Sequence, residues 1–192
     1  PALCGMRSVL LPWFDAEKVL AYTERFHVRT MPGVPAMFIQ LLNHPHAPRY
    51  NTKSWTRLQS GAAPLPIEVL KAFHDKFGVY LYEGYGLTEC GSVVALNLPG
   101  ADRIGSVGRP LPHVTVDTQD TAGEIRVGNR VFLGYLGEEQ RVPETWPTGD
   151  IGFLDEAGHL RLSGRRRHLI VTALGRNIAP EWVEAALTAQ PE

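Results

Sequence analysis

Apolar and polar positions change their rhythm twice along this chain. Between residues 8 and 90, short apolar runs alternate with stretches of helical period. Ser8-Val9-Leu10-Leu11 reads as a buried strand, and Asp15 offers a side-chain oxygen to open a helix that turns Val19, Leu20 and Phe26 inward. Val28 to Met31 reads as a short strand. Pro35 suits a first helical position and starts a helix through Phe38, Leu41 and Leu42. Residues 43–51, rich in Pro, His and Asn, read as an exposed loop. Leu58-Gln59-Ser60-Gly61 reads as a strand end. Pro66 then opens an amphipathic helix carrying Ile67, Leu70, Phe73 and Phe77, which Gly78 closes. Val79-Tyr80-Leu81-Tyr82 is the next strand candidate. This alternation predicts an α/β fold with a mainly parallel sheet.

After about residue 100 the elements shorten. Val114–Val116, Glu124–Val127, Val131-Phe132, Ile151–Leu154 and Leu160–Leu162 read as strands punctuated by glycine, with a hairpin turn at Asp155-Glu156-Ala157-Gly158. From Leu169 the pattern changes again, to an apolar strand, a Gly-Arg-Asn loop and a helix opened by Pro180 that carries Trp182, Val183, Ala186 and Leu187. The expected organisation is a partial α/β subdomain (1–100), a small β-rich subdomain (101–164), a short connector (165–168), and the start of a C-terminal α+β domain (169–192).

Composition narrows the function classes. The chain has 192 residues, 44% of them hydrophobic, and a net charge of -1. That is ordinary for a globular protein, and nothing in it points to a nucleic-acid surface or an anionic membrane partner. Arg165-Arg166-Arg167-His168 is the only dense basic run, too short to argue for a nucleic-acid patch. Cys4 and Cys90 lie far apart with no C-x-x-C, and the seven histidines show no ligand spacing. The two cysteines read as cytosolic thiols. No apolar run approaches the roughly 18 residues needed to span a bilayer.

The chemistry concentrates in Tyr82-Glu83-Gly84-Tyr85-Gly86-Leu87-Thr88-Glu89-Cys90. Glycines at 84 and 86 let backbone N–H groups approach an anion. Thr88 can hydrogen-bond a phosphate oxygen, Glu89 is a hard oxygen ligand suited to Mg²⁺, and Tyr85 can offer a ring face to a purine. A tight structural loop is the competing reading of these residues taken alone.

This run resembles the Y-G-x-T-E signature of adenylate-forming enzymes: acyl-CoA synthetases, luciferases and the adenylation domains of peptide synthetases. Four further segments fit that resemblance in order. Ser60-Gly61-Ala62-Ala63-Pro64-Leu65 is similar to the family's small-residue loop, in which adenine and the acyl substrate lie against main chain. Gly105-Ser106-Val107-Gly108-Arg109-Pro110 resembles its G-x-x-G-x-P and reads as a structural turn. Trp146-Pro147-Thr148-Gly149-Asp150 stands where the family has T-G-D, whose Asp accepts hydrogen bonds from the ribose hydroxyls. Ser163-Gly164-Arg165-Arg166-Arg167 and Gly175-Arg176-Asn177-Ile178-Ala179-Pro180 resemble the hinge and the loop after it. The resemblance implies that Arg165 contacts ribose or phosphate. It makes Arg167 the pivot, where the family usually has Asp or Lys, and puts Gly175 on the thiol path. Arg176 replaces the more usual acidic residue.

The resemblance further implies ATP, Mg²⁺ and coenzyme A, with a fatty or aryl acid as substrate and Thr88 and Glu89 at the reacting phosphates. Two family elements, a Ser/Thr/Gly-rich phosphate loop and a C-terminal lysine, are not in these residues. The expectation is therefore an internal segment of a longer enzyme, nearly inactive alone. Three other readings stay open: an adenylation domain loading a carrier-protein phosphopantetheine, a nucleotide-binding remnant without turnover, and a structural α/β fragment. Oligomeric state is not readable.

Overall fold

The computed structural model describes residues 5–118, 123–137, 143–168, 170–171, 177–178 and 180. Helix α1 (Ala16–Phe26) begins where Asp15 accepts the Lys18 N–H at 2.9 Å. Strand β1 (Thr30–Gly33) leads into α2 (Pro35–Asn43), with proline in the first helical position as expected. A short 3₁₀ turn (Ala47–Arg49) interrupts the polar loop and buries Ala47. Strand β2 (Arg57–Ser60), helix α3 (Ile67–Phe77) and strand β3 (Leu81–Tyr85) follow. Gly78 ends α3 at φ +68°, and its N–H returns to the His74 carbonyl.

Strands β1, β2 and β3 pair in parallel. Strands β4 (Ala95–Leu96) and β5 (Arg109–Pro110) add antiparallel to the β3 side, giving a five-stranded mixed sheet ordered β1-β2-β3-β4-β5. The fold is thus α/β with a sheet that is parallel in its first half. A second sheet is antiparallel throughout: β6 (Thr115–Asp117), β7 (Glu124–Gly128), β8 (Thr145–Leu154) and β9 (Leu160–Arg165) in sequence order. A two-stranded ladder of β10 (Ile170–Val171) and β11 (Asn177–Ile178) comes last. The helix expected from Pro180, and the loop of Gly175 and Arg176, lie outside the described residues beyond Pro180 itself.

Two apolar clusters hold these layers. In the first, Leu20, Phe38, Leu41, Leu58 and Phe73 are wholly buried, packing the helices on the face of the parallel strands that carries Leu58 and Leu81. Phe73 is its centre: Phe38 meets it edge-on at 5.7 Å, Trp55 stacks at 6.0 Å and Phe77 tilts at 4.6 Å. Such aromatic pairs add stabilisation beyond area burial. The second cluster joins the sheets through Cys90, Val94, Ala95, Ile125, Val127 and Leu160. Backbone bonds bridge the same joint, from Val107 N–H to the Leu160 carbonyl (2.9 Å) and from Leu160 N–H to that of Gly108 (2.8 Å). A Cβ on Gly108 would lie 1.9 Å from the Leu96 carbonyl carbon, so the turn read at 105–110 needs glycine for packing.

Several expectations are corrected. Ser8–Leu11 is not a strand: Val9 and Leu10 are exposed, and no described strand lies beside them to complete a ladder. Phe26 is half exposed, packed edge-on against Tyr22, and Thr23 takes the inward position instead. Ile67 faces outward, with Val69 buried in its place. Val131-Phe132 forms no strand. Its one backbone bond among those described, from the Phe132 N–H to the Glu89 carbonyl at 2.8 Å, extends no ladder, and the Phe132 ring meets Trp146 at 4.9 Å. The strand expected over Val28–Met31 is displaced to Thr30–Gly33.

Phe73→Ala should therefore cost about 3–5 kcal/mol, the range for emptying an aromatic site in a packed core. Equilibrium urea unfolding checks this, and a loss under about 1 kcal/mol would contradict the central place given to Phe73.

Candidate functional site

The loops that carry the sequence motifs emerge at the carboxyl ends of β2 and β3, where open α/β sheets bind ligands. After β2, Gly61 to Pro64 form a loop tied to β1 by the Gly61 N–H on the Gly33 carbonyl at 3.1 Å. Ala62, Ala63 and Pro64 are exposed, and Ala62 holds a left-handed φ of +67°. A Cβ on Gly61 would approach the Gly84 carbonyl to 3.6 Å, so the loop lies against β3.

The Tyr82–Cys90 run is not placed quite as the sequence suggests. Strand β3 continues through Glu83 and Gly84 to Tyr85, because it pairs with β2 as far as Glu83 and then with β4. The turn proper starts at Gly86 and becomes a 3₁₀ turn over Thr88–Cys90. A Cβ at Gly86 would fall 1.8 Å from the Ser92 carbonyl oxygen, which pins the turn back on itself. Thr88 is exposed at its tip.

Asp150 is the focus. It lies in β8, is 7% exposed, and has both oxygens engaged. The Tyr85 hydroxyl donates to Oδ2 at 2.6 Å, and Arg165 Nε reaches Oδ1 at 3.1 Å. Three residues separated by up to 80 positions, on β3, β8 and β9, thus meet at one carboxylate. The Asp150 backbone N–H donates to Thr148 Oγ1 at 3.1 Å, and the Thr148 hydroxyl donates to the Ile125 carbonyl at 2.9 Å. Burial, reinforced by the Asp150 carboxylate it bonds, pushes the Tyr85 phenol far up, so it stays a proton donor at any working pH. Sequence reading expected a ring face from Tyr85 and missed the role of its hydroxyl.

Glu89 lies behind Thr88, partly buried. Its Oε1 accepts the Tyr135 hydroxyl at 2.9 Å, and its carbonyl takes the Phe132 N–H at 2.8 Å. Tyr135 was not singled out in the sequence; nothing local distinguishes an aromatic in a Gly-rich segment. Among the described residues only Oε1 of this carboxylate has a hydrogen-bond partner, leaving a hard oxygen donor of the kind Mg²⁺ takes. Cys90, next along, is fully buried, and burial pushes its thiol up to about 11, so it is no nucleophile. Arg167 is exposed in the turn after β9, where the His168 N–H closes onto the Arg165 carbonyl at 3.0 Å. Gly175 lies outside the described residues.

Glu83 is a second residue that sequence reading passed over. It lines, with Leu70, Leu81, Asn97 and Ile104, a cavity of about 10 Å³, the size of one water. Burial pushes its carboxyl up to about 7, against the opposing pull of the Leu65 N–H.

Comparison with known proteins bears on the family and the fold. The family model described as AMP-binding enzyme matches residues 1–136. A long-chain-fatty-acid–CoA ligase of Bacillus subtilis (strain 168) is 34% identical over 200 residues, covering 95% of this chain and 36% of that protein. The chain thus spans about a third of the length of that relative. An anthranilate–CoA ligase solved with anthranoyl-AMP superposes with a TM-score of 0.87 at 24% identity, over 97% of this chain and 39% of the other. The O-succinylbenzoate–coenzyme A synthetase of Bacillus subtilis, solved with ATP and a magnesium ion, gives 0.76 at 28% identity, over 91% and 39%.

The raised Glu83 carboxyl generates a pH prediction. Folding favours its protonated form, so this contribution is complete below about 4.5 and is lost as pH rises through about 7. Glu83→Gln should flatten that slope and stabilise the fold at pH 8 by about 2–3 kcal/mol, read from urea midpoints at pH 5 and 8. Equal slopes in the two proteins would contradict it.

Proposed function

Because the chain belongs to the AMP-binding enzyme family, we propose that the protein carrying it activates a carboxylic acid with ATP. The acid's carboxylate attacks the α-phosphorus, acyl-AMP forms and pyrophosphate leaves. The coenzyme A thiol then takes the acyl group, and AMP departs. The observation that carries this reading is the nearly buried Asp150 carboxylate, held between Tyr85 and Arg165 beside the Gly86–Glu89 turn.

Each residue then has a task that its setting supports. Asp150 accepts from the ribose hydroxyls through the lone pairs its two partners leave. Arg165, with its side chain 63% exposed, can turn further N–H groups toward ribose or phosphate. Thr88 donates its exposed hydroxyl to a phosphate oxygen. The Gly61–Pro64 loop, with no bulky side chain, lets adenine and the acyl group lie on main chain, and Tyr85 and Gly86 border the same space. Glu89 would hold Mg²⁺, which when bound neutralises phosphate charge. With Cys90 and Tyr85 both kept protonated, neither acts as a covalent nucleophile, and the proposed catalysis rests on positioning and charge.

The similarity to a fatty-acid ligase and to an O-succinylbenzoate synthetase supports a fatty or aryl acid. We further propose the division into residues 1–100, 101–164 and 169–192, with Arg167 the pivot of a 165–168 hinge and Gly175 on the thiol path. No helix among the described residues is long and apolar enough to cross a membrane. We propose a cytoplasmic location on a separate ground, the reading of Cys4 and Cys90 as ordinary thiols.

The test is acid-dependent ATP–pyrophosphate exchange by the full-length protein across fatty and aryl acids, beside Asp150→Ala. The variant should lose about 10²-fold in kcat/KM for ATP. Full exchange in the variant would overturn the ribose assignment, and exchange with no acid would overturn the activity.

A further inference from the structure

The ladder between β7 and β8 is interrupted where Asp150 projects. Glu124 pairs with Ile151, but the next pair is Arg126 with Pro147, so β7 advances two residues while β8 advances four. Thr148, Gly149 and Asp150 therefore bulge out of register, with Gly149 at φ +76°. Bulges re-aim side chains, and they leave backbone groups that something else must satisfy.

Here side chains take over. Glu124 is 6% exposed, yet carries a carboxylate, and a buried charge is costly unless paired. Its Oε1 accepts the Gly149 N–H at 3.1 Å, in place of a ladder bond. Its Oε2 accepts Arg166 Nη1 at 2.9 Å. The Arg166 N–H in turn donates to the Gly149 carbonyl at 2.8 Å. One carboxylate therefore holds the residue before Asp150 and the residue after Arg165, the two members of the charge pair at the site.

From this we infer that Glu124 is a positioning residue for nucleotide binding: it fixes the aim of Asp150 through Gly149 and the reach of Arg165 through Arg166, without touching the nucleotide. The inference rests on the ribose reading of Asp150 given above. Its signature is selective. Slack at Gly149 and Arg166 costs the contact to the ribose hydroxyls, and leaves a nucleotide lacking those hydroxyls little affected.

The experiment uses the full-length protein and measures pyrophosphate exchange with ATP and with 2′,3′-dideoxy-ATP. Asp150→Ala, compared with the parent, reports whether the ribose reading holds; it leaves Glu124 intact. Glu124→Met, close in volume, removes both bonds. It should raise KM for ATP roughly tenfold or more, with kcat little changed, and should collapse the preference for ATP over the dideoxy analogue. Glu124→Gln keeps an acceptor for Gly149 and should restore most of the preference. Parallel losses with both nucleotides would overturn the inference and leave Glu124 a fold-stabilising residue. If Glu124→Met does not fold, Arg166→Met, which removes the partner of Oε2, decides: an unchanged preference there overturns the inference. A preference that survives Asp150→Ala overturns the ribose reading, and this inference with it.

Discussion

A nearly buried carboxylate must be paired, and that requirement at Asp150 governs how the two sheets meet. Taking such a charge out of water costs several kcal/mol, which only well-aimed partners offset. The partners come from opposite directions, Tyr85 from the mixed sheet and Arg165 from the antiparallel one. The Arg165 end is solvent-screened, so much of the compensation falls to the short bond from the half-buried phenol. The site therefore forms only when β3 and β8 keep one relative placement, which the Val107–Leu160 and Leu160–Gly108 bonds and the second apolar cluster maintain. Fold and site are here the same constraint.

Close backbone approach supplies the second constraint. The glycines of the Tyr82–Cys90 run invite explanation by anion approach alone. Gly86 has an additional cause: its missing Cβ makes room for the Ser92 carbonyl, which lets the turn double back and carry Thr88 and Glu89 outward. Gly108 does the same at the joint between sheets. Residues that look like ligand-binding glycines can be packing glycines first, with the ligand geometry following from the packing.

What could be read from the sequence follows from how local each cause is. Helices α2 and α3 were legible because their period, proline starts and glycine stop are all local. Strand ends were not, because pairing decides them. Glu83 and Gly84 are poor strand formers, yet β2 and β4 draw them into β3, while the apolar Ser8–Leu11 has no strand partner among the described residues and stays out. The motif residues were legible by type and order. Their meeting was not: the Tyr85–Asp150 bond joins positions 65 apart. Glu124 shows the limit most plainly, since a Glu opening a strand carries no local sign that its carboxylate is buried beneath a bulge.

The placement of charge across the site follows a consistent physical logic. Both buried anions, Asp150 and Glu124, are paired with arginines whose side chains are about 60% exposed. Each arginine thus balances a carboxylate inward while presenting its remaining planar donors toward solvent. A lysine in either place would spend a flexible point charge on the carboxylate and offer no second edge. Under the proposed function, a nucleotide at Asp150 would meet an Arg165 already oriented by the protein interior, without that group abandoning its partner. That is preorganisation in the strict sense: the cost of fixing the charges is met during folding, before any ligand arrives.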